Sequence, residues 1–159
     1  MSSKADLYGE VEEQLTALFA GERDGLANAA NTSALLYAAL PDLNWAGFYF
    51  RRGRELVLGP FHGKIACVRI AIGQGVCGTA AERGETIIVA DVDAFPGHIA
   101  CDAASRSEIV VPLIQNGQLL GVLDIDSPRL GRFDHEDSVG LNAVAALLLR
   151  SSDLHRFVE

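Results

Sequence analysis

Apolar residues recur at helical intervals at the start of the chain and at strand intervals after Pro41. From about Ala5 to Ala20, Leu7, Val11, Leu15 and Leu18 fall on one face beside Glu10, Glu12 and Glu13, which predicts an amphipathic helix. A second helix is expected from Gly25 to Leu40, with Asp24 as its cap and Pro41 just past its end. The alternation then becomes that of a strand. Asn44–Arg52 sets Trp45, Gly47 and Tyr49 on one face and Ala46, Phe48 and Phe50 on the other. A turn at Arg52-Gly53-Arg54 leads into a strand over Glu55–Leu58, which Gly59-Pro60 is expected to break. Short strands are predicted over Val68–Ile72 and Thr86–Ala90, on either side of a short helix, Gly75–Arg83, closed by Gly84. Asp91–Ser107 reads as a long irregular loop, of a length that is usually functional or disordered. Asn116-Gly117 is the strongest hairpin signal, joining Ile109–Gln115 to Gln118–Asp126. A last helix is expected over Phe133–Leu154, capped near Asp134. With no internal repeat, low-complexity tract or linker, this order predicts one α+β domain spanning 1–159, an antiparallel sheet flanked by helices.

Composition narrows the setting. A chain of 159 residues that is 49% hydrophobic and 21% charged can bury a core without disulfide staples, and is not intrinsically disordered. Its net charge of −8 argues against nucleic acid and anionic membranes as partners. No stretch approaches the ~20 apolar residues of a membrane span. The opening MSSKADLYGEVEEQ lacks the apolar run of a signal peptide, so a cytoplasmic location is expected. There, three cysteines make a poor disulfide framework. Cys67, Cys77 and Cys101 are therefore inert core residues, metal ligands or redox-active thiols.

Their positions differ in chemistry. Cys101 lies in the polar loop, with His98 nearby as a candidate to assist its thiolate, and Cys67 precedes a strand. Cys77 falls in the first turn of the short helix, where the dipole lowers the pKa of an exposed thiol. Zinc would draw on His98 and Cys101 with Cys67 and Cys77, yet close C-x(2–4)-C pairs are absent. Asp124 and Asp126 share one face of a strand. A solvated outer face is the plain explanation for such a pair. Against it, Gln118–Leu123 is apolar on both faces, as in a central strand, and acids at its end can line a pocket. Trp45 shares a face with Tyr49; aromatic walls either pack in the core or hold methyl, thioether and cationic groups. Gly73–Gly78 matches a dinucleotide fingerprint only weakly, without its βαβ context.

Several longer stretches carry more information: WAGFY at 45–49, GPFHGKIACVRI at 59–70, GQGVCGTA at 73–80, the segment 91–112, and GVLDIDS at 121–127. In these the chain resembles the free methionine-(R)-sulfoxide reductases, a catalytic branch of the GAF domains. His62 and Ile65 depart from the Gln and Pro expected of that family. The resemblance implies a GAF-like sheet with helices on one side and a pocket under loops on the other. It also implies reduction of free L-methionine-(R)-sulfoxide to L-methionine, with no metal or organic cofactor. In that scheme Cys101 attacks the sulfoxide sulfur and becomes a sulfenic acid, Cys67 closes a disulfide with it, and thioredoxin reduces the bridge. Cys77 matches a third cysteine, an alternative resolver. Glu108, Asp124 and Asp126 match acids that bind the substrate ammonium and polarise its sulfoxide, Trp45 matches the wall against the S-methyl group, and Tyr49 neighbours it. Clustered buried acids raise at least one carboxyl pKa, while the remaining charge favours an ammonium that peptide-bound methionine lacks. GAF relatives commonly dimerise through helices, so a homodimer is a candidate assembly. The alternative from another class is a non-catalytic GAF sensor module that binds a small metabolite.

Two geometric expectations follow. A Cys67–Cys101 disulfide requires Cα atoms within about 4.4–6.8 Å. A two-residue Asn116-Gly117 loop pairs Gln115 with Gln118, and regular pairing then sets Glu108 opposite Ile125, on the face away from both aspartates. A shared pocket therefore requires an odd correction. It is expected as a three-residue loop, as a bulge near Pro112 or Glu108, or as Glu108 turning in before pairing begins.

Overall fold

The computed structural model describes residues 2–99, 101 and 103–159. Helix α1 (Lys4–Phe19) starts where the Ser3 hydroxyl accepts from the Asp6 N–H and the Asp6 carboxylate accepts from the Ser3 N–H. That reciprocal cap satisfies two otherwise orphaned donors. Its buried face is Tyr8, Val11, Leu15 and Phe19. The expected stripe through Leu18 is corrected: Leu18 is 48% exposed, because aromatic Tyr8 and Phe19 turn the helix toward the core. Helix α2 (Gly25–Ala39) is capped by Asp24 as expected.

Six strands follow: β1 (Trp45–Arg52), β2 (Glu55–Gly63), β3 (Arg69–Ala71), β4 (Ile87–Val89), β5 (Ser107–Gln115) and β6 (Gln118–Ser127). They form one antiparallel sheet in the order β3-β2-β1-β6-β5-β4. Helix α3 (Gly75–Arg83) lies between β3 and β4, and α4 (His135–Ser151) follows β6. The chain therefore has the α+β, GAF-like architecture that the sequence predicts.

Several boundaries differ from expectation, three of them for reasons visible in the hydrogen bonding. Gly59-Pro60 does not end β2. Gly47 pairs with Phe61 and Tyr49 with Leu58, so Gly59 and Pro60 together oppose Phe48 in a bulge. A bulge leaves a residue out of the ladder, which suits a proline without an N–H, and the Pro60 carbonyl instead accepts from the Ser33 hydroxyl. β5 begins at Ser107, because the Arg106 N–H donates to the Ser127 carbonyl at 2.7 Å and extends the ladder into the loop. Helix α4 stops at Ser151 rather than Leu154. Beyond it the Asp153 N–H donates to the Arg23 carbonyl, Ser152 accepts from Asn28, and Leu154 enters the core.

The sheet has two unlike faces. Ala46, Phe48, Phe50, Ile109, Leu123 and Ile125 pack under α1, α2 and α4 in the larger core. Trp45, Tyr49, Val110 and Val122 face the other way, into a smaller cluster completed by α3. The alternation read in β1 is therefore the alternation observed.

Candidate active site

The hairpin settles which side Glu108 takes. Asn116 and Gly117 both have positive φ, 53° and 76°, the paired left-handed conformation of a tight two-residue turn. Gln115 pairs with Gln118 and Ile114 with Leu119, but Leu113 then pairs with Gly121. Leu120 is the extra residue, a bulge on β6 two positions from the turn. From there on the register is shifted by one, so Glu108 lies opposite Asp126 and Val110 opposite Asp124. An odd correction is thus present, one residue from Pro112 but carried by the opposite strand. Glu108 sits inside the ladder instead of turning in from the loop.

Three adjacent strands now hold a row of functional side chains. Trp45 on β1 pairs with Asp126 on β6, which pairs with Glu108 on β5; Gly47, Asp124 and Val110 form the next row. Apart from Cys67, every residue singled out from the sequence lines one cleft above these rows. With the loop closed over it the cleft is narrow, its cavity volume about 40 Å³. Cys67 is joined to the cleft-lining Cys101 by a disulfide, with Cα atoms 5.6 Å apart. The bridge pins the β4–β5 loop to the segment between β2 and β3. Trp45 and Tyr49 brace that same segment. The indole Nε1 donates to the Lys64 carbonyl at 3.1 Å, and the Tyr49 hydroxyl donates to the Cys67 carbonyl at 2.9 Å. The Trp45 ring stacks between Tyr49 and Phe61, at 5.9 and 5.2 Å between centroids.

The electrostatics are those of like charges held out of water. Glu108 is 7% exposed and Asp124 6%. Burial first, and then the charges of Asp124 and Asp126, push the Glu108 carboxyl well above its ordinary range. Burial also raises Asp124, opposed by hydrogen bonds with Glu108, Cys77 and Asp126 and by nearby His98. Of these acids, Glu108 is the one whose surroundings most favour the protonated form. The expectation for Cys77 is corrected. At 4% exposed, its thiol is pushed well above its ordinary pKa by burial and by Asp124, Glu108 and Asp126, which overrides the helix terminus. The thiol donates to Glu108 Oε2 across 3.9 Å. His98 turns its Nε2 toward Glu108 Oε1, also 3.9 Å away.

Two features of the cleft had little signal in the sequence. The wall formed by Gln74, Gly75 and Val76 is one. Gly75 has φ 64° and lies against Ile99 of the loop, so the glycine-rich run shapes a wall. The contact of His98 with Glu108 is the other, since it depends on how the loop folds back.

Comparison with known proteins places this arrangement. The GAF domain family model matches residues 31–149. The chain is 54% identical over 158 residues to the free methionine-R-sulfoxide reductase of Escherichia coli, covering 98% of this chain and 96% of that protein. The crystal structure of a putative GAF sensor protein from Burkholderia vietnamiensis is similar, with a TM-score of 0.92, 58% identity and coverage of 95% and 96%. So is the free methionine-R-sulfoxide reductase of Neisseria meningitidis in complex with its substrate, with a TM-score of 0.91, 49% identity and coverage of 95% and 91%. No helix among the described residues is long and apolar enough to cross a membrane. The sheet order, the disulfide beside the buried acids and these similarities agree: the chain belongs to the GAF-domain family of free methionine-R-sulfoxide reductases.

Proposed function

We propose that this oxidoreductase converts free L-methionine-(R)-sulfoxide to L-methionine, with residues 1–159 acting as one GAF unit. The observation that carries the reading is a Cys67–Cys101 disulfide joined to a cleft of three carboxyl groups. In the reduced protein the Cys101 thiolate attacks the sulfoxide sulfur while Glu108 protonates the oxygen. Oxygen passes to Cys101 as a sulfenic acid, and methionine leaves with its sulfur reduced by two electrons. The Cys67 thiol then attacks the sulfenic sulfur of Cys101, water departs, and the disulfide forms. A thioredoxin dithiol reduces it by exchange. Cys77, held as a neutral thiol against Glu108, is a slower substitute for Cys67.

Asp124 and Asp126 receive the ammonium, which explains a preference for the free amino acid. Its carboxylate faces the N-terminus of α3, where the cap residue Gln74 makes no side-chain cap bond. Trp45, with Tyr49 beside it, walls the S-methyl group. The protein works in the cytoplasm, as a homodimer through its helices. The test offers each epimer of free methionine sulfoxide, and a peptide-bound form, with dithiothreitol as reductant. Methionine from the free R epimer alone is expected. Binding of that epimer without turnover would overturn the reading and favour a sensor module.

A further inference from the structure

Cys77 Sγ and one carboxylate oxygen each from Glu108 and Asp124 lie within 4.8 Å of one another, all three residues buried. A tetrahedral zinc ion holds sulfur at about 2.3 Å and oxygen at about 2.0–2.2 Å, so neighbouring ligand atoms stand roughly 3.5 Å apart. The 3.9 Å between Cys77 and Glu108 needs to close by only a few tenths of an ångström. His98 Nε2 lies 3.9 Å from the other oxygen of Glu108 and stands outside that group of three. A second observation points to a cation. Although the Asp124 carboxyl shares hydrogen bonds with Glu108, Cys77 and Asp126, its Oδ1 atom is buried in the cleft with no hydrogen-bond partner among the described residues.

We propose that Cys77, Glu108 and Asp124 form a site for a zinc-like divalent cation that excludes the substrate ammonium from the same place. This rests on the reading of the cleft as an ammonium site. Sulfur among the donors favours zinc over magnesium or calcium, which take oxygen ligands. Binding is a ligand exchange without redox change: the ion sheds coordinated water, the Cys77 thiol and the protonated Glu108 carboxyl each give a proton to solvent, and sulfur–metal and oxygen–metal bonds form. The dication supplies the positive charge that clustered acids in a buried site lack. The metal is an inhibitor here and has no part in sulfoxide reduction.

Oxidised protein provides the test, because Cys67 and Cys101 are then bonded to each other and Cys77 is the free thiol. Cobalt(II) is titrated into it in metal-free buffer, and thiolate-to-cobalt charge-transfer absorption is recorded. Saturation at one equivalent is expected, with at least one proton released per ion. Zinc should bleach the band and free L-methionine should displace the cobalt. Cys77→Ser should abolish the band, and Asp124→Asn should weaken binding tenfold or more. Absence of the band and of proton release in the unaltered protein, persistence of the band in Cys77→Ser, or indifference to excess methionine each overturns the proposal. Turnover is measured separately in chelator-treated buffer, so loss of the enzymatic reading would show there and not in the cobalt absorbance.

Discussion

Along β5 and β6 neighbouring residues serve opposite ends. Ile109, Leu123 and Ile125 are fully buried beneath α1, α2 and α4, with apolar atoms on every side. One position away, Glu108 and Asp124 are almost as buried, yet their carboxyl groups face each other and Asp126. Each large apolar side chain on the helix face contributes about 1.5–3 kcal/mol by leaving water. Clustered acids on the cleft face work against folding, because desolvation and mutual repulsion both oppose ionisation. A strongly packed face thus holds an unfavourable one in shape, and substitutions on the two faces should move activity and stability differently.

The largest effect is expected at Cys101. Cys101→Ser should release no methionine even in a single turnover, whereas Cys67→Ser should release about one equivalent per protein and then stall. Mass spectrometry of the product pool decides this, and one equivalent from Cys101→Ser would move the attack to another cysteine. Phe48→Ala, on the helix face, should cost about 3–5 kcal/mol in urea unfolding, with activity falling only as the folded fraction falls. Glu108→Gln should separate the two quantities: kcat/KM lower by about 100-fold through loss of the acid, unfolding free energy higher by about 1 kcal/mol. A parallel fall in both would remove the contrast between the faces.

The pH dependence has a definite sign. Glu108 binds its proton more tightly when folded, so below its ordinary value of 4.5 both states are protonated and no stability is lost. As pH rises above 4.5 the unfolded chain releases the proton while the folded one retains it, and stability declines until the folded group ionises. Thermal melts of the unaltered protein should therefore slope downward from pH 4.5 toward neutrality, and Glu108→Gln should flatten that slope. The smallest effect is expected from Tyr49→Phe, which removes the bond to the Cys67 carbonyl at about 1 kcal/mol and slows disulfide closure a few-fold in stopped-flow assays. An unchanged rate would mean that the hydroxyl braces only the fold.

The sequence revealed what short-range periodicity and residue chemistry carry. Alternation in β1 assigns Trp45 and Tyr49 to one face, and Asn116-Gly117 marks the hairpin, since both signals are local. The bulge at Leu120 has no such signature, because Leu119 and Leu120 are equally apolar and the choice depends on what packs against each. Gly59-Pro60 reads as a break for the same reason: a partner strand absorbs it only in three dimensions. The acids and cysteines were legible by type and through the family resemblance. That Cys77 is a buried neutral thiol was not, since the helix terminus argues one way and the carboxyl groups across the sheet argue the other.

The bridge between Cys67 and Cys101 spans 34 positions, a segment that contains α3, β3 and β4. Tying the ends of such a segment restricts the unfolded chain by about 4 kcal/mol of conformational freedom. In the proposed cycle this link opens at every turnover, so the chain would alternate between a tethered and an untethered polypeptide. Its waiting form, ready for the next sulfoxide, is the one more open to proteases, while its spent form is the longer-lived. On that proposed cycle the lifetime of the protein would follow electron supply: oxidant would preserve the molecules it has used up, and plentiful reductant would keep them ready but perishable.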